Sequence, residues 1–290
     1  MKTIIITGAN GQLGSDLCQI LGEAGHNIIG LTHADADVSN FQKMKELIVA
    51  NKADTFINTA AFHHVDQCEA DLQKAMQVNC EGPAQIADFC FEKGIRIIHF
   101  STDYVFDGKK QAPYLETDIP HPLNNYGFSK WKGEEAILKA NPNALILRVS
   151  AIYGVFPCRA KNGLNFVQLM LKKAAENAEL RVVNDEQVSP TSTLSIAKMV
   201  NIILNHTLNG VVHLTSEGSC SWYDFAKEIF DYMGIEAKLS TASSSDFPAK
   251  TPRPSYSVLE NYKLKQLQIN HMPHWKDALH VYLNSLQQAG

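Results

Sequence analysis

Apolar positions in the first half of the chain switch between two periods. Thr3–Thr7 is a short β-branched run of strand type. From Gln12 to about Ala24 apolar residues recur at helical spacing, and Gly25 stops the run. Asn27–Leu31 and Asp54–Asn58 are further predicted strands, with an amphipathic Phe41–Asn51 helix between them, capped by Ser39 or Asn40. Asp66–Asn79 and Pro83–Lys93 read as two helices, the second ended by Gly94. Ile95–Phe100 is a strand, Tyr126–Ala140 a helix and Ala144–Val149 a fifth strand. Such alternation implies a parallel sheet with helices on both faces.

The second half is less regular. A loop is predicted over Tyr153–Asn165, helices over Phe166–Asn177 and Thr193–His206, and strands over Leu180–Val183 and Val211–Leu214. A Ser221–Met233 helix and a last helix near His274–Gln287 flank a Ser/Pro-rich stretch, Ser243–Pro254. The expected organisation is a nucleotide-binding domain over 1–150 and a smaller, mainly substrate-binding lobe over 151–290. Some later strands are expected to return to the sheet.

Composition narrows the function. The 290 residues are 45% apolar and 19% charged, with 26 basic against 30 acidic side chains and a net charge of -4. A nucleic-acid binder would show a basic stripe, so no such partner is expected. The apolar run at Ile4–Ile6 is too short for a signal peptide, and no stretch approaches the roughly 18 apolar residues of a membrane span. The six cysteines form no CxxC pair, so neither a zinc site nor a redox motif is supported. Scattered free thiols fit a reducing cytoplasm, the expected location.

Gly8-Ala9-Asn10-Gly11-Gln12-Leu13-Gly14 follows the first strand and opens the first helix. Glycines there permit a tight turn, close approach of backbone N–H groups to a pyrophosphate, and close helix–strand packing. The helix N-terminus adds free donors and partial positive charge. The spacing is GxxGxxG rather than GxGxxG, so its position between strand and helix carries the inference. The expected fold class is therefore α/β: a Rossmann-like, doubly wound parallel sheet with the smaller C-terminal lobe. The second strand ends in Thr32 and His33, with no acid to hold ribose hydroxyls. That leans towards NADP.

Tyr126 and Lys130 lie four apart on a predicted helix and share a face. An ammonium beside a phenol, at a helix N-terminus, is expected to lower the phenol's pKa towards one useful in proton transfer. Tyr223 and Lys227 repeat the spacing, but read as structural, with Trp222, Phe225, Ile229 and Phe230 as a core stripe. Only the first pair follows a strand tipped with hydroxyls, Ser101 and Thr102. In open α/β sheets ligands sit at the carboxyl ends of strands, so Thr102 can bond a carbonyl beside Tyr126.

These motifs resemble the extended short-chain dehydrogenase/reductases and, within them, the dTDP-4-dehydrorhamnose reductases. The matching pieces are Thr7–Gly14, Asn58-Thr59-Ala60-Ala61, Ser101-Thr102-Asp103-Tyr104-Val105-Phe106 and Pro122-Leu123-Asn124-x-Tyr126-Gly127-x-Ser129-Lys130-x-x-Gly133-Glu134. Arg148-x-Ser150, Tyr153-Gly154, Pro190-Thr191, Ser221-Trp222-Tyr223 and Arg253-Pro254 with Ser257 extend the likeness over nearly the whole chain. The resemblance implies NADPH-dependent reduction of the C4 ketone of a dTDP-6-deoxyhexulose, with NADH as the alternative cofactor. Tyr126 would donate the proton, Lys130 would hold the nicotinamide ribose and tune Tyr126, and Thr102 would bond the substrate oxygen. Gly8, Asn10, Gly11, Gln12, Leu13 and Gly14 would cradle the pyrophosphate. Asp37 and Val38 would lie by the adenine, and Ala60 and Ala61 by the adjoining ribose. Substrate would meet Thr102, Asp103, Tyr126 and Arg253, the last through its phosphates, and His63 is expected to touch it from location alone.

The chain departs from the family's pattern in three places. Ala61-Phe62-His63-His64-Val65-Asp66 replaces a small hydroxyl by bulkier rings, and Ala151 stands where the family has Trp. Of the glutamates with which some members bridge a dimer through magnesium, only Asp16 is a match, so no metal is expected. A homodimer is left open. Two other readings also stay open: a reductase or epimerase of another nucleotide sugar, and a non-catalytic NADP-binding regulatory subunit resembling the beta subunit of methionine adenosyltransferase.

Overall fold

The computed structural model describes residues 1–157, 163–247 and 249–289. The short strands are runs of β-branched and aliphatic residues whose alternate positions face opposite layers. β1 (Thr3–Thr7), β2 (Asn27–Leu31), β3 (Thr55–Asn58), β4 (Arg96–Thr102) and β5 (Leu145–Val149) are joined by the strand Gly210–His213. All pairings in this sheet are parallel, and the order runs Gly210–His213, β5, β4, β3, β1, β2. The order reverses between β1 and β3, which opens a crevice at their carboxyl ends.

Burial on both faces explains the near-continuous apolar strands. Ile4, Ile6, Ile57, Ile98 and Leu145 point to one layer, with Leu17 and Leu21 of α1 (Gln12–Glu23) and Ile196, Val200 and Ile203 of the Thr193–Ile203 helix. Ile5, Phe56, Ile97 and Ile146 point to the other, against Ile86 and Phe89 and against Ile137 of the Asn125–Ala140 helix. Thus Thr193–Ile203 and Gly210–His213, from the second half of the chain, build the main core. A separate core of Tyr153, Met170, Phe225, Trp275 and Leu279 gathers the remaining C-terminal elements. The expected Tyr153–Asn165 loop begins at the end of a short strand, Ile152–Tyr153, which pairs with Thr191–Ser192, while residues 158–162, Cys158 included, lie outside the described residues.

The expected Asp66–Asn79 helix is not one element. It divides into Val65–Ala70 and Leu72–Met76, and a π-helical turn, Gln77–Glu81, runs on into Gly82–Lys93. Asp71 explains the break, because its side chain accepts the backbone N–H of Lys74 and caps the second piece. Asn40 rather than Ser39 caps the helix at Phe41, accepting from Lys43. Among the described residues no helix is long and apolar enough to cross a membrane.

Candidate active site

A cavity of about 660 Å³ opens at the carboxyl ends of the strands. Every residue that the sequence marked for cofactor or substrate lines it: the loop residues Gly8, Asn10, Gly11, Gln12, Leu13 and Gly14, then Asp37, Val38, Ala60, Ala61, His63, Thr102, Asp103, Tyr126, Lys130 and Arg253.

The loop after β1 is shaped by what a Cβ would strike. Gly8 has φ +70°, and a Cβ there would lie 2.6 Å from the Thr59 hydroxyl. A Cβ on Gly14 would lie 2.1 Å from the Gly8 carbonyl oxygen, so only glycine lets α1 press this closely on the turn. Gly11 donates to the Gly8 carbonyl at 2.9 Å and forms the N-cap of α1 without any side-chain cap. The first N–H groups of α1 are therefore left to a ligand, which suits a pyrophosphate. This cradle and uncapped terminus fit a dinucleotide.

At the end of β2 the picture is finer than position alone suggests. Asp35 folds back, and its carboxylate accepts from the Thr32 backbone N–H at 2.8 Å and hydroxyl at 2.7 Å. An acid thus stands beside this strand end after all, outside the cavity lining. His33, 3.4 Å from Asp37, and Lys74 do line it.

Tyr126 rides on a helix whose start is fixed twice. Asn124 accepts the Gly127 N–H at 2.9 Å and donates to the Pro252 carbonyl at 2.9 Å. Further along, Arg148 of β5 forms a buried two-pronged pair with Glu134, at 2.9 and 2.6 Å. Thr102 ends β4, where its hydroxyl donates to Asp103 at 3.1 Å and accepts the Tyr104 N–H at 3.2 Å. Asp103 also accepts from Ser150 at 2.8 Å, so the carboxylate orients Thr102. Burial raises the Asp103 pKa against these hydrogen bonds, to which Ser257 contributes.

One expectation is reversed. The Tyr126 phenol is raised rather than lowered. Enclosure holds the phenol well above its ordinary range, and contact with Thr102 is what acts the other way. Lys130 is enclosed as well, at 1% exposed. Burial pulls its pKa down to about 8, although Glu134 pushes upwards. Lys130 Nζ donates to the Phe100 carbonyl at 2.6 Å and lies 3.0 Å from His99 Nε2.

The substrate side is built from loops. Phe62, His63 and His64 follow β3 into the cavity, and Ala151 enters it with φ +42°. Arg253 sits on a clamped segment: Thr251 donates to Asp66 at 2.8 Å, and the Pro252 carbonyl is held by Asn124. Trp222 packs against the C-terminal core as expected and also lines the cavity, where it stands with Phe166 at a ring separation of 4.8 Å. Phe225, Ile229 and Phe230 of that helix are buried as expected, and Lys227 is exposed and bonded to Asp231. Sequence reasoning missed Trp222, Phe166, Tyr104 and His99. For His99 a signal existed: a histidine at an interior position of an otherwise apolar strand.

The chain resembles known proteins over nearly its whole length. The family model described as "RmlD substrate binding domain" matches residues 1–288. A spore coat polysaccharide biosynthesis protein of Bacillus subtilis is 38% identical over 100% of this chain and 99% of its own. A dTDP-4-dehydrorhamnose reductase of Aggregatibacter actinomycetemcomitans is 36% identical over 96% and 97% of the two chains. Among solved structures, a dTDP-4-dehydrorhamnose reductase of Clostridium acetobutylicum superposes with TM-score 0.92 at 36% identity, covering 98% and 99% of the chains. One from Bacillus anthracis, solved in complex with NADP, gives TM-score 0.92 at 32% identity over the same shares.

Proposed function

The chain belongs to the RmlD substrate binding domain family, a family of NAD(P)-dependent oxidoreductases of nucleotide-sugar biosynthesis, and we propose that it reduces the C4 ketone of dTDP-4-dehydro-L-rhamnose with NADPH. The observation that carries this reading is a single cavity where Thr102, Tyr126 and Lys130 meet an uncapped, glycine-lined helix N-terminus. The bound reduced nicotinamide supplies the hydride. The chain's own residues do the rest.

Gly8, Gly11 and Gly14, with Asn10, Gln12 and Leu13, hold the pyrophosphate through backbone donors. Asp37 and Val38 take the adenine end, Ala60 and Ala61 the ribose beside it. His33 and Lys74, lining the same end, favour a 2′-phosphate and hence NADPH over NADH. Thr102 bonds the ketone oxygen, oriented by Asp103. Tyr126 gives its proton to that oxygen as the C4 carbon is reduced, so one hydride and one proton turn the ketone into a hydroxyl. Lys130 holds the nicotinamide ribose and, once charged, stabilises the phenolate left behind. Arg253 meets the diphosphate, and His63, Trp222 and Phe166 border the sugar nucleotide. We assign the substrate lobe chiefly to residues after 150.

The test is direct. The ketone is generated in place by the enzymes that precede it, NADPH is added, and the product is identified by mass and chromatography. Formation of dTDP-L-rhamnose with matching NADPH loss is expected. Unchanged ketone in the presence of enzyme that binds NADPH would overturn the substrate assignment and direct attention to other 4-keto nucleotide sugars.

A further inference from the structure

Three neighbouring strands carry a polar row at one level. Thr7 of β1 is in register with Asn58 of β3, and Asn58 with His99 of β4. Two residues earlier the same face carries Ile5, Phe56 and Ile97, all apolar. At the polar level the side chains bond in series. Thr7 Oγ1 donates to Asn58 Oδ1 at 2.6 Å, and Asn58 Nδ2 lies 2.9 Å from His99 Nδ1. His99 Nε2 then meets Lys130 Nζ at 3.0 Å. His99 is 0% exposed, so its ring has no solvent to satisfy it.

Hydrogen positions follow from the partners. Asn58 Oδ1 also accepts the Ala60 backbone N–H at 3.1 Å, and a backbone N–H can only donate. The amide is thereby fixed, and its NH₂ group faces His99 Nδ1. That nitrogen must accept, so a neutral imidazole carries its hydrogen on Nε2. Nε2–H then points at a nitrogen that, as an ammonium, has no lone pair to offer. Only an uncharged amine satisfies this contact: it accepts from His99 and donates to Phe100.

We infer that His99 is a positioning residue for Lys130: Thr7 and Asn58 lock its imidazole as the Nε2–H tautomer, which favours the uncharged amine on Lys130 in the cofactor-free protein. The inference rests on reading Lys130 as the partner of Tyr126. Its consequence is that, near pH 8, cofactor binding draws a proton onto Lys130, while the Tyr126 phenol keeps its own for the ketone oxygen. The groups facing Lys130 are few. Glu134, from its own helix, is engaged by Arg148 of β5. Tyr126 and the Asp103 carboxylate lie towards the cavity. His99 is held neutral chiefly by burial.

The test uses cofactor-free protein, so it does not depend on turnover of any sugar. Histidines are labelled with nitrogen-15, and His99 is assigned by its loss in His99→Gln. The wild type is expected to show a protonated Nε2 and a bare Nδ1, and Lys130, followed by side-chain NMR and assigned with Lys130→Met, to titrate at or below about 8. Asn58→Asp offers a carboxylate to Nδ1–H, flips the tautomer and bares Nε2 as an acceptor. It is expected to raise the proton affinity of Lys130 at least ~10-fold, one pH unit. Calorimetry of NADP binding in buffers of different ionisation heat should then find proton uptake in the wild type and less in Asn58→Asp. A wild-type imidazole protonated on Nδ1, or equal Lys130 titration in both proteins, would overturn the inference. The tautomer reading on the wild type stands even if Asn58→Asp fails to fold. Failure of the reductase assay with these signatures intact would count against the substrate alone.

Discussion

The two halves of the cavity are built by different means. The cofactor half is backbone: a glycine turn, a bare helix end and a polar row fixed by strand register. The substrate half is side chain: Phe62, His63, Trp222, Phe166 and Arg253 arrive from separate loops and helices. In the first half a Cβ added at Gly8 or Gly14 would strike its neighbours at 2.6 or 2.1 Å. In the second, one ring can be exchanged without moving the strands. Chemistry can therefore stay constant in such a fold while the sugar nucleotide changes.

Substitutions at the two halves should separate accordingly. The largest effect is expected from Gly14→Ala, whose Cβ would lie 2.1 Å from the Gly8 carbonyl oxygen. Overpacking of this kind costs ~1–3 kcal/mol and pushes α1 off the turn. NADPH affinity, measured by fluorescence titration, should fall ~100-fold, equivalent to about 2.7 kcal/mol. Affinity within twofold of wild type would show that the cradle does not hold the pyrophosphate.

Thr102→Val removes the hydroxyl and nearly keeps the volume. Loss of a donor at a developing oxyanion predicts a fall in kcat of ~10²-fold with NADPH affinity unchanged. A change in KM alone would place Thr102 in substrate binding rather than in the reaction.

A stability experiment probes the buried lysine. Its pKa falls from 10.5 in the ordinary state to about 8 in the fold. Between these values the unfolded chain binds more protons, so stability contributed by this group rises with pH across that window. It is lost as pH drops through the folded value. Unfolding free energy of the wild type minus that of Lys130→Met should therefore climb between pH 8 and 10.5, by up to ~3 kcal/mol. Taking the difference removes the tyrosines and cysteines, which titrate in both proteins. A flat difference would show that Lys130 is not depressed.

Smallest among these effects, Trp222→Ala and His63→Ala should raise the substrate KM by ~3–10-fold while kcat stays near wild type. If instead kcat collapses in either variant, the substrate half does more than border the sugar nucleotide.

Legibility in the sequence follows the same division. The glycine turn was readable because its demands are local: strand, turn and helix are contiguous in the chain. The Tyr126 pair was distinguishable from Tyr223 and Lys227 by the hydroxyl-tipped strand before it. What eluded reading was set by distant partners. Trp222 has core spacing along its helix and packs on that core, yet it also lines the cavity beside Phe166, which comes from another helix. The helix after His64 splits at Asp71, whose local cap outweighs the apolar period. That enclosure raises the Tyr126 phenol and lowers Lys130 was invisible, since burial depends on how the helix and the sheet close over both.

The central claim is that Tyr126 supplies the proton for reduction of a 4-keto nucleotide sugar in this cavity. It is tested most directly by following loss of NADPH absorbance with dTDP-4-dehydro-L-rhamnose, wild type beside Tyr126→Phe, with NADPH affinity measured on both. The account predicts that kcat falls ~10²–10⁴-fold in the variant, the range of a general acid, while cofactor affinity stays within about twofold. Equal turnover by the two proteins would contradict it.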